Sequence, residues 1–433
     1  MTLVPVLLLL ALDFQHDVAP IFRAKCAGCH RPGEVAPFSL LTYQDAASQA
    51  KTIAAVVEKG LMPPWKPVRG YGEFQNERRL TKHEAEVLVK WSQSGAKGSD
   101  GPLQPETEPP PPRAWKLGEP DLVVEMPKPY TVAADGPDQY QCFVVPIPKG
   151  ISQYIRAWEF QPGSRRTVHH ALFFLDSSHE GAKRAAADGG SYSCFGVPGF
   201  MPSGSLGGWS PGTAPFTATE GTAASHVRAG EDLVMQIHYH PTGKPESDQS
   251  RIGLYYSTYT ARNPPPKHVV DVALVSKQID IPAGEAAYKV RDHFTLPIDV
   301  WALGIIPHAH YIARQMKCWA TLPDGKIRWL LRIDDWDFNR QDQYRYAKAF
   351  VLPADTRLDM EIEYDNSAAN ARNPSNPPQR VVWGPDSTDE MAGVHLQAVP
   401  VRMEELPELG QALWGKIMRA VGGSFYRPPE KQQ

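Results

Sequence analysis

The chain has 433 residues, of which 42% are hydrophobic and 21% charged. That is the composition of folded globular protein rather than a disordered tail, and the length predicts roughly two to four domains. The formal net charge of −3 argues against a nucleic-acid binder, for which a basic stripe is expected, and 42 prolines with 34 glycines favour turn-rich β-structure over helical bundles.

Residues 1–12 form an apolar run, Thr2 to Leu12, too short to span a bilayer as a helix. The run reads as the core of an export signal, although no basic residue precedes it, and predicts a periplasmic or secreted protein. No later segment is apolar enough for a transmembrane span. Of the five cysteines, Cys142, Cys194 and Cys318 lie outside the motif described next. At most one disulfide forms among them, and Cys142–Cys194 is the favoured pair.

Residues 13–98 read as a first module. Phe14 to Phe22 predicts a short leading helix. Cys26-Ala27-Gly28-Cys29-His30 is the pattern of covalent c-type haem attachment: two thiols for thioether links, then an imidazole beneath the iron. Leu61-Met62-Pro63-Pro64-Trp65 offers a thioether on a proline-stiffened loop. Thr81 and Glu84 form a capping box that opens a helix through Val87, Leu88 and Trp91 and stops at Gly95. A zinc or redox Cys-X-X-Cys and a core methionine are the competing readings. His16 and His83 read as surface or capping residues. The module resembles a class I cytochrome c. That resemblance implies haem c on Cys26 and Cys29, with His30 and Met62 as axial ligands and electron transfer as its role.

Residues 99–117, with four consecutive prolines at 109–112, predict a semi-rigid linker. From residue 118 short alternating runs dominate, among them Leu122–Met126, Gln141–Val145, Ala171–Leu175, Leu233–Ile237, Ile252–Tyr256 and Leu358–Tyr364. They predict two β-sandwiches, residues 118–262 and 263–405, divided near Asn263-Pro264-Pro265-Pro266, with a tail at 406–433.

Histidines cluster at strand ends in these sandwiches: His169-His170, His238 with His240, and His308-Ala309-His310. Alternation puts His308 and His310 on one face of a strand, able to share a metal. Adjacent His169 and His170 would face opposite ways on an ideal strand and need a twist or a strand end. Further on comes Asp389-Glu390-Met391. Two imidazoles with a thioether suit copper better than zinc, magnesium or calcium. Three histidines alone could also hold zinc. His179, His226, His268 and His293 read as isolated polar residues, and His240 is left outside the ligand sets.

The order His-His, Gln-X-His, His-X-His and Asp-Glu-Met resembles the copper type II, reductant-dependent monooxygenases, the family of peptidylglycine α-hydroxylating monooxygenase and dopamine β-hydroxylase. The likeness spans residues about 118–400 and includes Asp138-Gln139-Tyr140-Gln141-Cys142. It implies two jelly-roll-like sandwiches and two copper ions facing each other across a water-filled cleft. An electron-transfer copper would sit on His169, His170 and His238, and an oxygen-binding copper on His308, His310 and Met391. The implied reaction is hydroxylation of a C–H bond of a small-molecule or peptide-like organic substrate with O2. Electrons would come from an external electron donor through the haem. The chain departs from the peptide-processing member: Ile306-Pro307 replaces an arginine, and Gly393 and His395 replace an asparagine and a tyrosine. A peptidylglycine substrate is therefore not expected. Met391, Gly393 and His395 alternate, so His395 is expected to face the same cleft, as a substrate contact or proton donor. The competing function is a non-enzymatic haem/copper electron-transfer or copper-binding protein.

Overall fold

The computed structural model describes residues 12–32, 36–98, 114–194, 198–211, 213–223, 225–384 and 386–421. The export-signal segment up to residue 11, linker residues 99–113 and the end of the tail lie outside them. The chain divides into two compact units: Met1–Trp65 with Asn76–Ala114, and Lys66–Gln75 with Trp115–Gln433.

The first unit is helical. Phe14–Val18 makes a π-turn that runs into the helix Ala19–Lys25, followed by Tyr43–Ser48, Ala50–Glu58 and Lys82–Gln93. The last begins at the expected capping box, Glu84 N–H donating to Thr81 Oγ1 and Thr81 N–H to Glu84 Oε2. It ends before Gly95, whose φ of +90° breaks the helical path. Phe14, Phe22, Leu88 and Trp91 are almost fully buried, with the rings of Phe14 and Trp91 5.4 Å apart. These aromatics occupy the predicted leading and closing helices, so the two helices define the core.

The second unit is two β-sandwiches, as the alternation predicts. In the first, the sheet containing Leu122–Glu125, Arg251–Tyr256 and Gln153–Gln161 faces a sheet ordered Ser191–Ser193, Gln139–Pro146, Asp232–Tyr239, Val168–Asp176 and Gly204–Trp209. Trp158, Phe160, Phe173, Leu233 and Met235 fill the space between. The expected disulfide Cys142–Cys194 is present. In the second, Val270–Ser276, Ala392–Pro400, Val300–His308 and Tyr344–Leu352 form one sheet. Tyr288–Thr295, Arg357–Tyr364, Ala313–Thr321 and Ile327–Ile333 form the other. Among the described residues no helix is long and apolar enough to cross a membrane.

Two boundaries differ from the sequence reading. Lys66–Gln75, expected in the haem module, belongs to the second unit. It crosses from one edge strand of the second sandwich to the other. Val68 N–H donates to Arg332 O at 2.7 Å, and Gln75 N–H donates to Arg345 O at 2.8 Å. Phe74 stacks on Tyr346 at 5.4 Å. At Gly72 a Cβ would lie 2.7 Å from Leu330 O, so only glycine lets this strap lie so close. The expected tail instead opens with a helix, Leu406–Val421, anchored by the buried Leu409. The stretch after Tyr364 is braced by a buried asparagine. Asn366, fully buried, donates through Nδ2 to Pro282 O at 3.0 Å and Gln379 O at 2.7 Å.

Candidate metal centre

His169, His170 and His238 come together at the end of two neighbouring strands. His238 pairs with His170, but Tyr239 pairs with Val168, so His169 is an extra residue on its strand. A bulge of this kind turns adjacent side chains to one side; it supplies the irregularity that His169-His170 required. His169 Nδ1 and His238 Nδ1 each lie 3.3 Å from His170 Nδ1. The ligating atoms of all three residues fall within 4.8 Å of one another.

Asp138, whose role the sequence reading missed, stands behind this cluster. Its Oδ2 is 2.8 Å from His238 Nε2 and its Oδ1 is 2.7 Å from His240 Nδ1. A carboxylate on one ring nitrogen fixes the tautomer and turns the other nitrogen's lone pair inward. Tyr140 stacks on His238 at 4.1 Å, with the planes 11° apart. His240 is exposed and touches the back of Asp138 rather than the cluster. Burial, followed by the neighbouring His238, lowers His169 to about 3. Burial also holds His170 well below the usual histidine range and lowers His238, against the pull of Asp138. All three are neutral imidazoles at neutral pH, the form that binds metals. Nε2 of His169 is buried without a hydrogen bond of ordinary geometry, although the Asn339 backbone lies beside the ring. The donor set fits a transition metal.

The second set is built differently from expectation. The strand Val300–His308 ends at His308, so His310 lies beyond it. Glu390 holds His310 in place. Its Oε2 accepts from His310 N–H at 2.8 Å and from Met391 N–H at 3.1 Å, and its Oε1 accepts from Ile312 N–H at 2.8 Å. Asp389 O lies 3.1 Å from His310 Nδ1, and Gln341 Oε1 lies 2.7 Å from His308 Nδ1. These Nδ1 contacts orient both rings with Nε2 on the far side. The two rings are 5.3 Å apart and nearly perpendicular. Burial lowers His310 to about 3, with His308 adding to it, and lowers His308 as well.

Met391 precedes the strand Ala392–Pro400 rather than lying on it. Its carbonyl accepts from Tyr364 Oη at 2.6 Å. Gly393 pairs with His308 and His395 pairs with Ile306, which puts His395 on the sheet face of His308. A Cβ on Gly393 would lie 3.8 Å from His395 Nε2. Burial, then Lys416, lowers the His395 pKa.

Where the two sets approach, one side chain packs against both. Phe338, 3% exposed, lies 5.9 Å from His169, 6.2 Å from His238 and 5.4 Å from His310, between ring centroids. It also packs on Tyr311 at 4.6 Å.

In the helical unit, Cys26 caps the helix Ala19–Lys25, and the N–H groups of Cys29 and His30 donate to its carbonyl. Both thiols are half-buried and outside any disulfide. Burial, with Cys29 adding to it, pushes the Cys26 thiol up to about 12. Phe38 O is 3.1 Å from His30 Nδ1, the backing that leaves Nε2 of a histidine for a metal. Met62 follows the helix Ala50–Glu58, its N–H donating to Val56 O at 3.3 Å. Two thiols one turn apart, with a backed imidazole beside them, fit a covalently attached haem.

No family model matches the chain, and no curated protein matches it in sequence. Among solved structures it is similar to the VP2 subviral particle of infectious bursal disease virus, at 10% identity and a TM-score of 0.19, covering 67% of this chain and 74% of that one. It is also similar to the structure of infectious bursal disease virus Gt strain, at 9% identity and a TM-score of 0.17, covering 65% and 72%. Likenesses this weak carry no argument about the centre.

Proposed function

We propose that the chain is a copper-dependent monooxygenase that hydroxylates a C–H bond of a small-molecule or peptide-like organic substrate with O2, and that it carries its own cytochrome c. The observation behind this reading is the convergence of three Nδ1 atoms from two strands, two of them turned together by a bulge. Buried, neutral, carboxylate-backed imidazoles suit a transition metal. A second imidazole pair tied to a methionine loop favours copper over zinc.

Copper bound at these sets would supply one-electron storage at the first and dioxygen reduction at the second, with haem c on Cys26 and Cys29 relaying electrons from an external donor. The chain's own residues prepare both places. Asp138 keeps His238 with Nδ1 inward. Gln341 orients His308. Glu390 binds the backbones of His310 and Met391 together, so imidazole and thioether keep a common frame. His395, on the face of His308, is read as a substrate contact or proton source. The Cys142–Cys194 disulfide supports an oxidising compartment, periplasmic or extracellular.

Metal analysis combined with oxygen consumption across a substrate panel tests the reading. Met391→Ala should keep the haem spectrum and the copper of the first set while abolishing oxygen-dependent product. Normal turnover in that variant would sink the assignment. The rival is a haem/copper electron-transfer or copper-binding protein with no substrate, and the packing of Phe338 between the sets speaks for it. In that case both coppers load and no candidate is hydroxylated.

A further inference from the structure

Residues 334–343 join the strands Ile327–Ile333 and Tyr344–Leu352, and this loop touches both histidine sets. Phe338 packs against His169, His238 and His310. Gln341 Oε1 meets His308 Nδ1 at 2.7 Å, and Trp336 Nε1–H donates to His310 O at 3.1 Å. The loop is also fastened to both sandwiches. Ser210 Oγ donates to Gln341 O at 3.0 Å and Gln343 Nε2 donates to Gly208 O at 3.1 Å, both from or to the first. Trp336 N–H donates to Arg314 O at 2.8 Å, in the second.

The start of this loop is gripped from outside. Lys66 Nζ lies 2.8 Å from Asp335 Oδ2 and 3.9 Å from Asp337 Oδ2. Arg372 takes the other oxygen of Asp335 at 2.6 Å. Lys66 is only 16% exposed at its side chain, and its backbone opens the strap that runs to Gln75. Its ammonium is therefore delivered by a segment already pinned at Val68 and Phe74.

We infer that Phe338 is a spacer that fixes the separation of the two histidine sets, and that Lys66 is the positioning residue that clamps the loop carrying it. The ring distances are those of ordinary aromatic contact. Deleting the ring must leave a void or let the sets shift, because packed interiors hold little spare volume. The separation is thus not a property of the two sandwiches alone. It depends on a segment that begins four residues after Met62. This spacing is a geometric statement about the chain; its meaning for electron passage rests on the copper reading proposed above.

The test uses the full-length, haem-bearing chain. In the copper-free protein, hydrogen exchange in peptides covering 334–343 should be about tenfold faster in Lys66→Met than in the parent, since the clamp is a partly buried ion pair at a loop start. Exchange should return to the parent rate in Lys66→Arg, with the central strands unchanged in both. After loading with Cu(II), pulsed dipolar EPR should give a narrow intersite distance in the parent and in Lys66→Arg. The distribution should broaden in Lys66→Met and Phe338→Ala. Adding Lys66→Met to Phe338→Ala should broaden it no further, and Phe338→Leu, which keeps apolar bulk, should fall between. Parent-like exchange in Lys66→Met would overturn the clamp, and a parent-like distance in Phe338→Ala would overturn the spacer. A chain that takes up no copper pair would overturn the functional reading and the spacer's role toward metals, while the exchange experiment would still decide the clamp.

Discussion

Removing the Glu390 carboxylate should detach the second histidine set from its methionine. The side chain is fully buried and accepts three backbone N–H groups, from His310 and Ile312 at 2.8 Å and from Met391 at 3.1 Å. In Glu390→Ala these amides face a cavity. Each buried donor left unmet costs about 1–3 kcal/mol. Part of that is offset because the variant also removes a buried acid whose carboxyl is pushed up to about 8 by desolvation. A net loss of roughly 3–6 kcal/mol is expected from three donors, a large share of the ~5–15 kcal/mol of a typical domain. Glu390→Gln keeps the volume and one acceptor, so roughly 1–3 kcal/mol is expected. Urea unfolding followed by tryptophan fluorescence measures this, and Trp336, bonded to His310 O, sits at the site. Competition with a copper chelator should show the second set weakened before the first. A stability within about 0.5 kcal/mol of the parent for Glu390→Ala, the range of an unremarkable surface change, would refute the reasoning. So would equal weakening of both sets.

Asp138→Asn should weaken copper at the first set by about 10–100-fold, the usual consequence of losing a histidine's carboxylate partner. His240→Ala, which removes only an exposed contact on the other oxygen, should have a much smaller effect, and chelator competition separates the two. The metal-free protein should also become less stable in acid. His169, His170, His238, His308 and His310 all have folded-state pKa values lowered by burial, to about 3 for His169 and His310. The unfolded chain therefore binds more protons as pH falls. Stability from these groups is complete above the unfolded histidine value of about 6.5 and declines from there towards pH ~3. Thermal scans between neutral and acid pH should show a falling Tm; a constant Tm across that window would contradict the burial argument.

Elements whose signals are local could be read from the chain. The Thr81–Glu84 capping box, the alternating strands and the histidine clusters needed only neighbouring residues. Features that depend on register could not. Nothing in Val168-His169-His170 reveals that Tyr239 pairs with Val168 and leaves His169 as the extra residue. Alternation puts His310 on a strand, but the strand ends at His308 and the N–H groups of His310 and Ile312 turn to Glu390 instead. Asp138 is separated by a hundred residues from the ring it orients. Phe338 gave one usable signal, an aromatic beside Trp336 in an otherwise polar, Asp-rich turn between two strands. Adjacency in sequence groups the strap with the first module; Tyr71 and Phe74 in a glycine-rich stretch are the sign of a segment with a surface to cover.

That strap also bears on where the second unit could be cut from the chain. Ile327–Ile333 and Tyr344–Leu352 are outermost strands of their sheets, and each would offer unpaired backbone groups to another molecule. Lys66–Gln75 covers both with chain that precedes the linker in sequence. A cut at residues 99–117 would separate the sequence motifs but leave the second sandwich with two sticky margins. The second unit is therefore discontinuous in sequence: part of the insulation its edges need lies upstream of the proline-rich stretch, within residues 66–75, and a chain begun after residue 114 would lack it.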